Sequence, residues 1–269
     1  MIKDENYILY NGVLIPKIGF GTWQNNSKEE CINSVMFALK NGYRHIDTAA
    51  AYGNEEFIKE AIQLSGINRK EIFITSKLPA EIKGYQECKK EFEETLRRLG
   101  TDYLDLYLIH APNPWDIDQN SLENMELNIE SWKMMEELYR EGKIRAIGVS
   151  NFNCEQIEIL KKHTSIVPMV NQVYCFIGEP RLDLLDYCKE NNILIEAYSP
   201  LKVGKLINHP KLIEISKKYN VSVAQLCIRW CLDLNTLPLP KSVHEQYIIE
   251  NLKVDFEIDK EDFEYLKNL

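Results

Sequence analysis

Short apolar segments alternate with amphipathic ones along almost the whole chain, and this alternation limits the possible folds more than any other feature. Residues 43–46, 72–76, 104–109, 144–149, 168–172, 193–197 and 237–240 are apolar runs of strand length. The stretches between them, 29–40, 55–64, 87–99, 129–140, 155–162, 182–190, 210–219 and 222–232, carry apolar residues at helical spacing. Asn41-Gly42, Ser65-Gly66 and Gly100 sit where three of these helices should stop, as residues tolerant of left-handed backbone do. With residues 18–20 as a first strand there are eight strand–helix units, at a mean spacing of roughly 34 residues, which suits a βα unit. Strands that are apolar on both faces and alternate with helices belong to a parallel sheet. Eight units in 269 residues predict one (β/α)₈ barrel spanning residues 1–269, close to the usual ~250. A doubly wound open sheet is the alternative.

Two features lie outside the repeat. Residues 7–10 and 13–15 flank Asn11-Gly12, a strong hairpin signal, so a β-hairpin precedes the barrel. Residues 245–251 and 260–267 predict two extra helices at the C-terminal end.

Acidic residues outnumber basic ones, 41 to 32, for a net charge of −9, the wrong sign for a protein that binds nucleic acid by neutralising phosphates. An anionic ligand would have to be met by a local basic patch. The N-terminal residues lack the basic and apolar regions of a secretory signal, and no run of about 18 apolar residues occurs. The seven cysteines are scattered without a C-x-x-C pair; Cys227 and Cys231 read as small apolar side chains on one helix face, not as metal ligands. The expectations are a cytoplasmic monomer with reduced thiols, no metal and no membrane partner.

Polar residues collect where the apolar strands end: Asp47, Lys77, His110, Ser150-Asn151, Gln172, Tyr198 and Lys241-Ser242. In a barrel these positions surround one mouth. Any one of them could merely cap a helix, but Lys, His, Gln and Tyr are not preferred caps. Asp47, Lys77 and His110, with Tyr52 five residues beyond Asp47, form a candidate proton-transfer group. A Lys ammonium lowers a nearby phenol's pKa, an Asp holds that Lys in place, and a His can hydrogen-bond a carbonyl oxygen. The alternative is a buried Asp–Lys ion pair with a packed tyrosine.

Five ordered segments resemble the aldo-keto reductases: residues 42–55 (GYRHIDTAAAYGNE), 104–112 (LDLYLIHAP), 147–152 (IGVSNF), 197–201 (AYSPL) and 238–242 (PLPKS) with Glu250-Asn251. The resemblance covers roughly residues 7–267. It implies a barrel whose bottom is plugged by the hairpin, and reduction of aldehydes or ketones with NADPH preferred and NADH as a second cofactor. It implies Tyr52 as proton donor, tuned by Lys77 and Asp47, with His110 orienting the substrate. It implies cofactor contacts from Gly21, Thr22, Trp23 and Asp47, and from Ser150, Asn151 and Gln172 at the carboxamide. Tyr198 would stack on the nicotinamide, followed by Ser199, Pro200 and Leu201. Lys241, Ser242 and His244 would lie at the 2′-phosphate, with Val243 a further cofactor contact and Tyr247, Glu250 and Asn251 near the adenine. Trp23, Tyr52, His110, Ala111 and Trp115 would border a small carbonyl substrate. Residues 19–24 (GFGTWQ) fail the dinucleotide fingerprint, in keeping with a cofactor bound without a Rossmann domain.

The segment departs from the family pattern at Val173-Tyr174, where an acidic residue is common, and at Tyr247, where an arginine is usual. The chain ends at Leu269 soon after its last helix, which predicts a pocket open on that side, and Ala111 replaces a bulkier residue. Two other functions are weighed: a regulatory barrel that senses a cofactor, against which the four proton-transfer residues stand, and a sugar-phosphate enzyme, which would need a phosphate-binding glycine pair that the last two strand ends do not supply.

Overall fold

Two short strands, β1 (Asn6–Ile8) and β2 (Leu14–Pro16), pair antiparallel and lead into eight parallel strands. These are β3 (Phe20–Gly21), β4 (His45–Asp47), β5 (Phe73–Leu78), β6 (Leu104–Ile109), β7 (Ile144–Ser150), β8 (Val170–Tyr174), β9 (Leu194–Tyr198) and β10 (Leu237–Leu239). The computed structural model describes all 269 residues. The strands neighbour one another in sequence order from β3 to β10. Gly19 N donates to Pro238 O at 3.1 Å and Gly21 N to Pro240 O at 3.0 Å, which brings the last strand back to the first and closes a barrel.

The helices are α1 (Lys28–Lys40), α2 (Glu55–Ser65), α3 (Tyr85–Leu99), α4 (Met125–Arg140), α5 (Cys154–His163), α6 (Leu182–Glu190), α7 (Pro210–Lys218), α8 (Val223–Asp233), α9 (Glu245–Glu250) and α10 (Lys260–Lys267). Each barrel strand from β3 to β8 is followed by one α-helix; β9 and β10 are each followed by two. Local chemistry sets their ends. Ser27, Asn153, Ser222 and Asp259 accept from backbone N–H groups of the first turn, and Gly66 and Gly100 take left-handed backbone after α2 and α3. An apolar core of 64 buried residues runs continuously through the barrel and its helix shell.

The hairpin is built differently from a two-residue Asn-Gly turn. Beyond the Ile8–Leu14 pair, Leu9 N donates to Val13 O at 2.9 Å, so only residues 10–12 turn the chain; Gly12 N donates to Leu9 O at 2.8 Å, and Gly12 has φ +85°. That is a three-residue connection with glycine at its left-handed position, a conformation costly for any side chain. The hairpin covers the N-terminal end of the barrel. Tyr7 OH donates to Thr236 O, Tyr10 OH to Val167 O and Asn11 Nδ2 to Arg145 O, all at the entrances of β10, β8 and β7. Its own Ile15, in the middle of β2, is fully buried. The opposite, C-terminal ends of the strands are therefore the open face.

Candidate active site

The strand ends surround a cleft of about 670 Å³. Asp47 is the last residue of β4, Lys77 the penultimate residue of β5, His110 the residue after β6, and Ser150 and Tyr198 close β7 and β9. Gln172 lies mid-strand in β8.

At the floor, Lys77 is fully buried and its ammonium sits in a cage of acceptors. Nζ donates to Asp47 Oδ1 at 2.9 Å and Oδ2 at 3.0 Å, to Thr48 O at 2.7 Å, and to Tyr52 OH at 3.4 Å. The β4–β5 register makes Asp47 and Thr75 partners, which sets Lys77 two residues nearer the open end on the same face as Thr75. Burial disfavours the Lys77 charge, yet the negative charge around it, Asp47 first and then Tyr52 and Glu196, together offsets this and holds its pKa above the usual lysine value. Tyr52 sits in a single helical turn, residues 50–52, ended by Gly53 at φ +66°. That turn is tied down by Asn54, whose Nδ2 donates to Thr22 O at 2.9 Å and whose Oδ1 accepts from Thr48 Oγ1 at 2.7 Å.

The Tyr52 pKa lies above the ordinary phenol value. Burial is the largest cause; Lys77 pulls the other way and is outweighed. This differs from the lowering expected from the lysine alone: a phenol taken out of water resists ionisation. Tyr52 therefore rests as a protonated hydroxyl that receives a hydrogen bond from an ammonium. His110 is pushed well below the usual imidazole range by burial and by the Lys77 charge, so it is neutral. Its ring meets those of Tyr52 and Trp115 edge to face, with centroids 5.6 and 5.3 Å apart, and its Nδ1 has no protein partner.

The middle of the cleft is rich in amides. Gln172 Nε2 donates to Asp47 Oδ2 and Glu196 Oε2, both at 2.7 Å. Both of its hydrogens are spent on carboxyl groups, while its Oε1 accepts from no protein donor. Asn151, at φ +62°, donates through Nδ2 to His110 O and Ser150 Oγ, both at 3.1 Å, and accepts from Tyr198 OH at 2.9 Å. Ser150 Oγ donates to Gln172 O at 2.8 Å.

Gly21, Trp23, Asp47, Tyr52, His110, Trp115, Ser150, Asn151, Gln172, Tyr198, Ser199, Pro200, Leu201 and Lys241 all line the cleft. Lys77 lies beneath it, Thr22 is buried behind it, and Ala111 is fully buried. The Ala111 carbonyl accepts from Lys83 Nζ at 3.0 Å. Past Lys241, Ser242 and Asn251 are buried, whereas Val243 and Glu250 are half-buried. His244 and Tyr247 are exposed and meet edge to face, centroids 5.7 Å apart. Lys241 has its pKa lowered by partial burial.

Residues the sequence did not single out also matter here. Gln24, Ala51, Val203, Gly204, Leu239 and Pro240 complete the lining. Asn113 and Gln156 hold the loop that carries Trp115. Asn113 Nδ2 donates to Asp118 O and Ser121 O at 2.8 and 2.9 Å, and Gln156 Nε2 donates to Gln119 O at 2.8 Å. Glu196 is the other addition. The only hint was a carboxyl inside an otherwise apolar strand, residues 193–197.

The chain is similar to known proteins across nearly its whole length. A model of the aldo/keto reductase family matches residues 17–269. A glyoxal reductase of Bacillus subtilis is 44% identical over 262 residues, covering 97% of this chain and 91% of that protein. The crystal structure of an aldo/keto reductase from Brucella melitensis superposes with a TM-score of 0.90 at 39% identity, covering 97% of this chain and 96% of that one. An aldo-keto reductase of Bombyx mori in complex with NADP superposes with a TM-score of 0.88 at 32% identity, covering 97% and 91%.

Proposed function

The chain belongs to the aldo/keto reductase family, and from that premise we propose that it reduces small aldehydes and ketones to alcohols with NADP(H), Tyr52 giving the proton to the carbonyl oxygen. One observation carries the assignment of Tyr52: a buried ammonium, anchored by Asp47, donates to its hydroxyl at the floor of the cleft.

The donors and acceptors along the cleft suit a nicotinamide dinucleotide phosphate. The free Gln172 Oε1 can accept from a carboxamide N–H, and the Asn151 and Ser150 polar atoms lie beside it. Tyr198 offers an aromatic face, half-buried at the end of β9. Lys241, at the end of the cleft, supplies positive charge for a 2′-phosphate, with Ser242 and His244 adjacent. The bound cofactor supplies the hydride that the carbonyl carbon receives.

The side chains do the rest. Tyr52 and His110 bound the place where a carbonyl oxygen can sit. Neutral His110 can donate one hydrogen bond to that oxygen without putting a second positive charge beside Lys77. As negative charge develops on the oxygen, Tyr52 donates its proton to it. The tyrosinate left behind is stabilised by the Lys77 ammonium already at 3.4 Å. Lys77 keeps its own protons, because Asp47 holds it charged. Trp23 and Trp115, both about half exposed, provide apolar walls at the rim and keep water from the carbonyl.

The B. subtilis relative makes small dicarbonyls the first substrates to try. The test is a panel of glyoxal, methylglyoxal, aromatic aldehydes and simple ketones, each assayed with NADPH and NADH by loss of reduced-cofactor absorbance. Turnover of the aldehydes with NADPH is expected; no turnover of any carbonyl with either cofactor overturns the assignment.

A further inference from the structure

Glu196 is fully buried in the barrel interior, and no part of the chemistry above uses it. The strand register brings it there. Gln172 of β8 and Leu237 of β10 are its direct partners on either side. Parallel partners project the same way, so Glu196 and Gln172 lie side by side inside the barrel. Facing Glu196 are Asp47 and His45 from β4, Lys77 from β5 and Gln172 from β8; β10 presents only apolar Leu237. Tyr52 lies across Lys77 from it.

This cluster holds two carboxyl groups joined through one amide nitrogen, with Lys77 as its one permanent cation. Two carboxylates sharing one buried cation leave an uncompensated charge in a low-dielectric interior, which strongly disfavours that state. One group must take up a proton. Asp47 binds Lys77 through both oxygens, so it is the anion. His45 cannot supply a compensating positive charge. Its Nε2 is within 2.9 Å of Thr75 Oγ1 but 3.9 Å from Glu196 Oε1, beyond hydrogen-bond reach, and its Nδ1 is unpartnered. Burial and the Lys77 charge push the His45 pKa down to about 3. Glu196 Oε1 also has no partner, an arrangement an ionised carboxylate would not tolerate.

We propose that Glu196 is a positioning residue held as a neutral carboxylic acid: through Gln172 it fixes the geometry of Asp47, and by staying uncharged it leaves Lys77 opposed by a single anion. This rests on the assignment of Tyr52 as proton donor. Burial, followed by repulsion from Asp47, pushes the Glu196 pKa up to about 8, so the proton is present at neutral pH. When it leaves, a second anion competes for the Lys77 field. Tyr52 then becomes a weaker acid, since nearby negative charge favours the neutral phenol.

The test combines infrared spectroscopy of the protein without cofactor and a pH profile of aldehyde reduction. In the wild type, the carbonyl-stretch absorption of a protonated carboxylic acid should be present near neutral pH and vanish as the pH rises through about 8. Over the same interval kcat should fall about threefold or more, as expected for a weakened general acid. Glu196→Gln preserves shape and the acceptor for Gln172 but cannot ionise, so it should lack both the absorption and the fall. Glu196→Leu should lose the Gln172 contact and weaken NADPH binding, read as a higher dissociation constant with an unchanged melting profile at neutral pH. A wild type without the acid absorption near neutral pH, or a Glu196→Gln variant that keeps the absorption and the same fall, overturns the proposal; Lys83, whose pKa burial lowers to about 8, would then be the group to examine. The infrared result is independent of turnover, so loss of the carbonyl-reductase assignment and loss of this one are separately visible.

Discussion

Tyr52 and His110 meet edge to face with ring centroids 5.6 Å apart, so a phenol and a neutral imidazole stand side by side in the lining of one cleft. Tyr52→Phe keeps that packing and removes only the hydroxyl. Turnover of a test aldehyde should fall about 10²–10⁴-fold, the range for loss of a general acid. NADPH affinity, measured by fluorescence titration, should change little. Retention of most of the activity would show that the proton comes from elsewhere.

The Asp47–Lys77 pair is buried on both sides and should be costly to break singly. Lys77→Met strands the Asp47 carboxylate and should destabilise the fold by about 3–5 kcal/mol in urea unfolding. Adding Asp47→Leu removes the stranded charge and should recover much of that loss while activity stays absent. A double variant no more stable than the single one would contradict this account.

Lys241 provides charge where the cleft ends, and Tyr247, about half exposed, can stack but cannot offer a charged fork. Lys241→Ala should weaken NADPH about 10–100-fold, the worth of one charge-assisted contact, and NADH far less. Tyr247→Arg should tighten NADPH selectively. Equal weakening of both cofactors by Lys241→Ala would mean that Lys241 does not read the 2′-phosphate.

Trp115 is held by a loop whose carbonyls are bound from inside by Asn113 and Gln156. Asn113→Ala frees the loop without touching the floor of the cleft. KM for aromatic aldehydes should rise about tenfold, equivalent to ~1.4 kcal/mol of lost wall contact, with kcat little altered. Glyoxal, too small to lean on the wall, should be unaffected. A parallel drop in kcat for every substrate would indicate damage to the floor instead.

His45 and Glu196 tilt stability with pH in opposite directions. His45 is neutral in the fold down to about pH 3, whereas the unfolded chain binds its proton below ~6.5, so stability from this group rises with pH across that window. Glu196 keeps its proton in the fold up to about pH 8, whereas the unfolded chain releases it above ~4.3, so its contribution falls as the pH rises through that interval. The melting temperature of Glu196→Gln should therefore gain on the wild type steadily from about pH 5 to 8. A constant difference would mean that the carboxyl is already ionised in the fold.

Much of this site is legible in the sequence because a barrel converts position along each strand into position around one mouth. Asp47, Lys77, His110, Ser150 and Tyr198 each stand at or next to the end of an apolar run, and each reaches the cleft or its floor. The helix stops at Gly66 and Gly100 were readable for the same kind of local reason, a residue that tolerates left-handed backbone. What escaped depends on register across strands distant in sequence. Nothing near Glu196 announces that Gln172 will be its partner, or that Asp47 and His45 will face it. Likewise Asn113 and Gln156 are ordinary polar residues until the loop from 113 to 124 folds over them. The net effect of burial on Tyr52 was hidden too, because desolvation depends on what surrounds the phenol, not on its nearest charge.

The bonds that close the barrel run in one direction only. Gly19, just before β3, and Gly21 within it donate, and Pro238 and Pro240 accept but have no N–H to return. Every other junction in the wall is a ladder; this one is a latch with half its rungs. Gly21, Pro240 and Lys241 stand along that latch and also line the cleft. The barrel therefore closes through a one-sided seam that runs beside the cleft, and a ligand lying along Gly21, Pro240 and Lys241 would touch both edges of it, acting as a clasp that turns a cylinder with a seam into a continuous hoop.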